Sequence, residues 1–239
     1  QVASKDGRSI YPLSIVDDTC TEVIIPAKPT RIVSLLPSTT EIISALGQVP
    51  VAVTKWDDYP VGIRDKAEYV FEDALNPNLE QILNLKPDLV MFYLTSQENT
   101  NKMRNLGIPV VVFDDKSIAE VYESIELTGK ITDTQAQADN LIELMKDKEK
   151  IIEDKIAQLS QEQKRKVWLE VDSSLYTAGS GTFLDELITK AGGVNIAQDI
   201  HSWGQFNSEQ VIDRNPDVIL ETYSYSDKNV IERSEEHTS

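Results

Sequence analysis

The 239-residue chain contains one cysteine, Cys20, and two histidines, His201 and His237. A single cysteine excludes an internal disulfide, and so few cysteines and histidines exclude a zinc site of the usual kind. We expect Cys20 to act as a small, partly buried apolar side chain. The sequence therefore predicts no disulfide framework, no metal site and no cofactor.

Basic residues are scarce as well. The chain has 23 lysines and arginines against 40 aspartates and glutamates, which gives a formal net charge of −17. Nucleic-acid binding depends on clustered positive charge, so a nucleic-acid partner is not expected. The acidic surface is either simply well solvated or docks onto a basic partner, and composition alone leaves both interpretations open.

Long apolar runs and catalytic signatures are also missing. No run of about 18 apolar residues is present to cross a membrane, and the polar opening QVASKDGRS is not a signal peptide. G-x-S-x-G, Walker, G-x-G-x-x-G and H-E-x-x-H motifs do not occur. The glycine-rich stretch 178–182 lacks a following lysine, which favours a tight turn before a helix over a phosphate cradle. The sequence therefore predicts a protein that is not an enzyme.

What the chain does contain is an alternation of short apolar runs and amphipathic segments. Apolar runs such as RIVSLL (31–36), IPVVVF (108–113) and KVWLEV (166–171) predict buried strands. Strands that alternate with helices indicate an α/β protein with doubly wound parallel sheets. We therefore expect an α/β fold.

A long helical stripe interrupts this alternation. No glycine or proline occurs between Thr132 and Gln163, so the pattern predicts one helix about 45 Å long. A coiled-coil dimer is the alternative, although the heptad pattern is not sustained. The predicted organisation is an α/β lobe at 1–116, a helical connection at 117–164, a second α/β lobe at 165–232 and a tail at 233–239.

One motif is written twice. NLEQILNLKPDLV (78–90) and NSEQVIDRNPDVI (207–219) share five identical residues, each 129 positions from its counterpart. The pattern predicts a helix, a turn and a strand in each lobe. We expect Glu80 and Glu209 to cap the two helices, because acidic side chains are favourable near helix N-termini, and Pro-Asp to begin the strands.

Several stretches together resemble a known family. RIVSLLPSTTEIISALG, VAVTKWDDYP and NPNLEQILNLKPDLV are similar to the first lobe of the helical-backbone (class III) substrate-binding proteins of ABC importers, which capture cobalamin, ferric siderophores or haem. The sequence from Val167 to Leu220 resembles their second lobe, and Cys20 stands where glycine is usual. The resemblance covers residues 11 to about 225 and is strongest to the cobalamin-binding branch.

This resemblance implies a fold and a partner. Two α/β lobes would be joined by one long helix, with ligand held in the cleft between them. Glu80 and Glu209 match the family's glutamates that dock with arginines on the permease dimer. The chain would be a monomer outside the cytoplasm, periplasmic or lipid-anchored.

Four aromatic residues mark a candidate ligand site. Trp56 and Tyr176 lie in loops that follow predicted strands, Tyr93 ends a strand, and Trp203 lies in the loop HSWGQF. Doubly wound sheets hold ligands at such strand ends. Flat apolar side chains suit a corrin or porphyrin ring, and the resemblance assigns these four positions to ligand contact. One further aromatic of the cobalamin branch is unmatched, because the loop before Glu80 offers only Ala74 and Leu75, with Phe71 nearby.

Charge in the candidate loops bears on which ligand is bound. Those loops carry four acidic residues and one lysine, Lys55, without an arginine cluster; the acids are Asp57, Asp58, Glu72 and Asp172. An anionic siderophore would be repelled, which favours a corrinoid. A ferric siderophore or haem is the alternative, and Tyr93, Tyr176 or His201 would be available as an axial haem ligand.

The end of the chain departs from the family pattern. RSEEHTS (233–239) resembles the translation of a sequencing-library adaptor, and we expect the second lobe to be incomplete. A second lobe that lacks strands would expose a sheet edge and an apolar face.

Overall fold

The structure is a computed structural model that describes residues 8–93 and 97–223. The chain divides into two units. Unit 1 comprises Gln1–Asp115 and Ala119–Met145, and unit 2 comprises Lys116–Ile118 and Lys146–Ser239. The predicted tail at 233–239 lies outside the described residues.

Unit 1 is built around a five-stranded parallel sheet. The strands of unit 1 as a whole are β1 (Leu13–Val16), β2 (Glu22–Ile25), β3 (Ile32–Ser34), β4 (Ala52–Thr54), β5 (Tyr69–Phe71), β6 (Leu89–Tyr93) and β7 (Val110–Phe113). Its helices are α1 (Pro37–Ala45), α2 (Ile63–Lys66), α3 (Leu79–Asn84), α4 (Gln97–Asn105) and most of α5 (Ile118–Thr132). The sheet order is β5-β4-β3-β6-β7, and β1 and β2 form a separate antiparallel pair. The strand order reverses between β3 and β6, which confirms the doubly wound prediction.

The apolar strands of unit 1 are buried on both faces. In β6, Val90 and Phe92 pack into one core cluster, while Leu89 and Met91 pack into another. All four residues of β7 are buried. Helices that cover both faces of a parallel sheet require this continuous apolar pattern, which is why these strands were readable from the sequence.

Cys20 is exposed, so the expectation of a partly buried side chain is wrong. Its φ is 56°, a left-handed conformation that glycine adopts most easily. The turn is held by Asp17, which is buried and accepts hydrogen bonds from the backbone of Thr19, Thr21 and Val112 and from Arg104. The backbone conformation accounts for a glycine being usual at position 20.

The long helix is shorter than predicted. Helix α6 runs over Gln135–Ile156, 22 residues or about 33 Å, and is separate from α5. The break is at Asp133, whose φ of 57° is left-handed and whose carboxylate accepts a hydrogen bond from the Ser9 backbone N–H at 2.9 Å. The helix contributes residues 135–145 to unit 1 and 146–156 to unit 2.

Unit 2 contains a smaller parallel sheet and a separate antiparallel pair of strands. The parallel sheet has the order β10-β8-β12 and consists of β8 (Lys166–Glu170), β10 (Val194–Asn195) and β12 (Val218–Glu221). Strands β9 (Tyr176–Ala178) and β11 (Trp203–Gln205) pair with each other in antiparallel orientation. The helices are α7 (Phe183–Lys190) and α8 (Ser208–Arg214). The order β10-β8-β12 reproduces β4-β3-β6 of unit 1.

The duplicated motif occupies the same place in both sheets. It forms α3 and β6 in unit 1, and α8 and β12 in unit 2. The predicted capping by glutamate is wrong, because the caps are Asn78 and Asn207, whose side chains accept hydrogen bonds from the third helical residue. Asparagine holds this position because its short side-chain carbonyl reaches the free N–H groups of the first turn.

Both copies also leave the helix and enter the strand in the same way. Lys86 and Asn215 have left-handed φ values of 47° and 48°. Asp88 then donates its backbone N–H to Arg31 and accepts the Arg31 N–H on its carboxylate, and Asp217 makes the same two bonds with Lys166. Each aspartate thereby fixes the start of its strand against the neighbouring strand.

The outer strand of unit 2 is exposed, as the sequence predicts for this lobe. All four residues of β12 are exposed, including Val218, Ile219 and Leu220. Its pairing with β8 places an apolar strand at the edge of the described sheet.

The strand-start aspartates generate a stability prediction. Asp88 also binds the N–H and hydroxyl of Thr30, at 2.7 and 2.9 Å, so its carboxylate accepts three hydrogen bonds, whereas Asp217 accepts one from Lys166. We expect Asp88→Ala to lower the free energy of unfolding by about 2 kcal/mol and Asp217→Ala by about 1 kcal/mol. Urea denaturation monitored by circular dichroism measures both, with exposed Asp213→Ala as the control. An Asp88 variant as stable as the control would contradict this role.

Candidate functional site

Two of the four predicted ligand contacts lie at the carboxyl end of the unit 1 sheet. Tyr93 is the last residue of β6, and Trp56 lies two residues after β4. Strands β4 and β6 lie on either side of β3, so both residues lie at the carboxyl edge of the sheet, next to the point where the strand order reverses. Both are exposed rather than packed into the core. This is where open α/β sheets bind ligands.

The Trp56 loop is held in place by charged neighbours. The Lys55 ammonium lies 5.1 Å from the centre of the Trp56 ring and 3.6 Å from the Glu72 carboxylate. Arg64 donates to the Lys55 carbonyl and forms an ion pair with Asp58 at 2.9 Å. These contacts fix the indole at the surface, where a ligand ring can stack on it.

The same contacts correct the charge argument. Two of the four acids expected to repel an anionic ligand are paired, Glu72 with Lys55 and Asp58 with Arg64. Asp172 bonds to Ser174, whose hydroxyl and backbone N–H hold the pKa of the aspartate below its ordinary value. Arg64 is the cation that the sequence argument did not count, and it offsets the charge of Asp58, whereas Asp172 keeps its charge.

Asp57 is a buried carboxylate that sequence reasoning did not recognise as such. The residue is 1% exposed, and its Oδ2 accepts the backbone N–H and hydroxyl of Thr54 at 2.7 and 2.5 Å. Its Oδ1 is buried without a hydrogen-bond partner among the described residues. The three-residue spacing of threonine and aspartate in TKWD was the only sequence signal for this turn.

The charge on Asp57 affects the pKa of Glu41 in α1. Its pKa is raised above the ordinary value, first because its carboxyl is partly withdrawn from water and second because of the charge on Asp57. The residue as a whole is exposed, so the withdrawal concerns the carboxyl end. Sequence reasoning missed Glu41, which no spacing rule connects with position 57.

The other two predicted contacts lie together in unit 2. Tyr176 and Trp203 stack with their ring centres 6.0 Å apart and their planes 6° from parallel. The prediction that they lie in loops is wrong, because they belong to β9 and β11, which pair antiparallel with Trp203 opposite Ala178. The pairing places both rings diagonally on one face of the two strands. Since both are exposed, they form one continuous aromatic surface.

The glycine-rich stretch is a turn, as predicted. Thr182 caps α7 by accepting the Asp185 N–H, and Gly181 has a φ of 80°. A Cβ on Gly179 would lie 2.2 Å from the Ile200 carbonyl oxygen, so only glycine fits there. His201 is exposed and pairs with Ser180 in a short bridge beside this turn.

The unmatched aromatic position is not filled by a neighbour. Phe71 is buried in the core of unit 1, whereas Leu75 is exposed. An aliphatic side chain therefore stands where an aromatic ring was sought.

Unit 2 also contains a cavity of about 720 Å³ along one side of α7. Its wall includes Ile156, Ala157, Thr189 and Lys190 and none of the four aromatic residues. Lys190 is engaged by Glu149 and Glu153, whose hydrogen bonds raise the pKa of the lysine. The cavity lies between the end of α6 and α7 and is separate from the aromatic residues.

The predicted docking carboxylates are at the surface. Glu80 and Glu209 each occupy the second position of a short helix, and both are exposed. Within residues 8–93 and 97–223 neither carboxylate has a hydrogen bond or an ion pair. They are identical residues of the repeat and hold equivalent positions in the two helices.

Neither a metal centre nor a membrane span is found in the described ranges. No group of three or more histidine, cysteine, aspartate or glutamate side chains there could hold a metal ion. No helix in the same part of the chain has the length and apolar character required to cross a membrane.

Comparison with known proteins places this geometry in context. A family model described as periplasmic binding protein matches residues 32–235. An uncharacterized ABC transporter substrate-binding lipoprotein of Bacillus subtilis, YvrC, is 35% identical over 96% of this chain and 75% of its own length. A vitamin B12-binding protein of Yersinia pestis is 31% identical over 82% of this chain and 71% of its own length.

A solved structure shows the same fold. The structure of a possible iron-binding, periplasmic solute-binding protein of Staphylococcus epidermidis superposes with a TM-score of 0.70 and 33% identity. The match covers 82% of this chain and 78% of the other.

The Glu41 and Asp57 pair generates a prediction about pH. The raised pKa means that the folded state holds the Glu41 proton more tightly than the unfolded state does. The wild type should therefore lose stability as the pH rises from about 4.5 through the folded pKa. Glu41→Gln should remove this loss, so its urea midpoint relative to wild type rises between pH 4 and pH 7.

The control for this experiment is Glu98→Gln. Its hydrogen bond with Lys102 lowers the pKa of Glu98, so the sign is reversed: wild type gains stability over this variant as the pH rises toward about 4.5, and the difference is constant at higher pH. A Glu41 variant whose midpoint tracks the wild type at every pH would show that folding does not raise the pKa of Glu41.

Proposed function

The chain belongs to the periplasmic binding protein family, and on that premise we propose that it captures a corrinoid such as cobalamin for an ABC importer. Family membership rests on the match over residues 32–235. The group that it resembles includes proteins described as binding vitamin B12 and as a possible iron-binding protein. The chain is a substrate-binding protein of this group, and the ligand within the group is the proposal.

One observation carries the choice of ligand. Each unit exposes aromatic side chains, Trp56 and Tyr93 in unit 1 and Tyr176 and Trp203 in unit 2, with 36% to 57% of each side chain exposed. Exposed aromatic rings are costly unless a partner covers them, and flat rings bind best to flat apolar faces. A large planar macrocycle that stacks on these exposed rings meets this requirement.

A ferric siderophore or haem is the second candidate. The ion pairs of Lys55 with Glu72 and of Arg64 with Asp58 reduce the negative charge near Trp56, which lowers the barrier to an anionic ligand. Tyr93, Tyr176 and His201 are exposed oxygen or nitrogen donors of the kind that bind haem iron.

Delivery to a permease is the second half of the proposal. Glu80 and Glu209 are exposed, lie at the same position of two equivalent helices, and have no partner in the described ranges. A twofold-symmetric permease offers two equivalent cationic sites, and two equivalent carboxylates on one chain match them. Such pairs contribute orientation and association rate more than affinity.

Location and activity follow the same relatives. The Bacillus relative is described as a lipoprotein, and the family as periplasmic, so we place this chain outside the cytoplasm, held by an N-terminal lipid or free in the periplasm, as a monomer. Its relatives are binding proteins, and the chain carries none of the catalytic motifs sought in its sequence, so we propose binding without catalysis.

Ligand binding is tested by tryptophan fluorescence. Cobalamin, haem and a ferric hydroxamate siderophore are titrated separately, with free tryptophan used to correct for light absorption. We expect saturable quenching by cobalamin, weakened roughly tenfold in Trp56→Ala and in Trp203→Ala because each loses a stacking face. Leu106→Ala, an exposed apolar residue that follows α4, should bind as wild type.

The ligand outcomes are distinct. Quenching by an iron ligand alone would replace the corrinoid by the second candidate. Equal affinity in wild type and both tryptophan variants would show that the aromatic surfaces are not the site.

Docking is tested by transport. In vesicles that contain the cognate permease and ATPase, Glu80→Ala and Glu209→Ala should each lower uptake roughly three- to tenfold while leaving ligand affinity unchanged. Exposed Glu143→Ala on α6 is the control. Uptake that is unaffected by either substitution would remove the docking role.

A further inference from the structure

An exposed apolar side chain follows each of the two docking carboxylates at the same spacing. Leu83 lies three residues after Glu80, and Ile212 lies three residues after Glu209. Leu83 is 44% exposed and Ile212 is 55% exposed. Residues three apart on a helix share one face, so each helix presents a carboxylate beside an apolar side chain.

These side chains are not needed by the cores beneath them. In α3 the inward positions are filled by Ile82, which is fully buried and belongs to the main cluster of unit 1. In α8 the inward position is Val211, which packs against the cluster of Trp168 and Phe206. In each helix the residue directly after the inward-facing Ile82 or Val211 is therefore an exposed apolar side chain.

The repetition distinguishes this feature from a chance exposed leucine. Single exposed apolar residues are common on protein surfaces. Here an exposed aliphatic side chain recurs 129 residues apart, as Leu83 and Ile212. The next exposed residue differs between the copies and is Asn84 in one and Asp213 in the other. The two helices thus share, on their outer faces, the carboxylate and the apolar side chain.

We propose that Leu83 and Ile212 are the apolar parts of two matched docking patches, each of which binds one subunit of a twofold-symmetric permease. The inference rests on the proposed function and adds a second component to its docking contact. The partner that fits is a surface carrying an arginine beside a shallow apolar depression. Two like patches on one chain select a partner that presents this surface twice.

The chemistry explains why the carboxylate alone is insufficient. An exposed carboxylate–arginine pair contributes little affinity, because water and salt screen it. An apolar contact one helical turn away removes water from around the pair and adds affinity that salt does not screen. The glutamate would then set the approach and orientation, and the apolar residue would set how long the complex lasts.

The test measures binding of the full chain to the purified cognate permease–ATPase complex in nanodiscs, at low and at high salt. Leu83→Ala and Ile212→Ala should each weaken binding roughly fivefold or more, mainly through faster dissociation, by a similar factor at both salt concentrations. Glu80→Gln and Glu209→Gln should instead slow association, and their effect should shrink at high salt.

Matched controls exclude a general effect of removing surface apolar area. The controls are Leu106→Ala in unit 1 and Ile151→Ala in unit 2. Leu106 is 47% exposed and Ile151 is 56% exposed, close to the exposure of Leu83 and Ile212. Both controls should bind as wild type. Thermal melting of each variant, together with its ligand affinity, shows that folding and capture are intact.

The outcomes separate this inference from the function on which it rests. If the glutamate variants weaken binding but the Leu83 and Ile212 variants behave like their controls, this inference is overturned and the proposed docking stands. If the wild-type chain does not bind the complex at all, both are overturned.

Discussion

Two aspartates set the register between the strand of each repeated motif and its neighbouring strand. Asp88 and Asp217 each bond twice to the residue that begins the neighbouring strand, Arg31 or Lys166. The same cationic side chains reach the last carbonyl groups of the preceding helices, at Leu85 and Arg214. One cluster of bonds thus ties helix, turn and strand together. It fixes where β6 and β12 begin relative to the neighbouring strand and holds the preceding helix against the sheet.

The duplicated motif divides its residues between the fold and the surface. Asparagine begins each helix, and Gln210 completes a capping box by accepting the Asn207 N–H. Proline and aspartate then start the strand. After these roles are assigned, glutamate is the identical residue whose side chain has no internal contact among the described residues. The two glutamates are exposed and hold equivalent first-turn positions in the two copies.

Sequence reasoning reached the fold because buried parallel strands leave a strong signal. Val110–Phe113 is apolar throughout because both of its faces are covered. It failed where tertiary contacts decide. The break between α5 and α6 lies at Asp133, whose carboxylate accepts a hydrogen bond from Ser9, 124 residues away. The partner of β9 lies beyond an intervening helix, so the sequence suggested Tyr176 and Trp203 as ligand contacts but did not predict that they stack. The ion pairs around Trp56 likewise join residues that no local pattern connects.

The three tryptophans occupy three different environments, and this has a spectroscopic consequence. Trp168 is buried, with its indole N–H 3.3 Å from Glu170; Trp56 lies under the Lys55 ammonium; Trp203 stacks on Tyr176. Buried indole emits at shorter wavelength and is shielded from iodide, whereas the other two emit further to the red and are accessible to it. The unlabelled chain therefore carries one solvent-accessible optical reporter in each unit and a buried internal reference, so removing Trp56 or Trp203 in turn assigns a quenching signal to one unit.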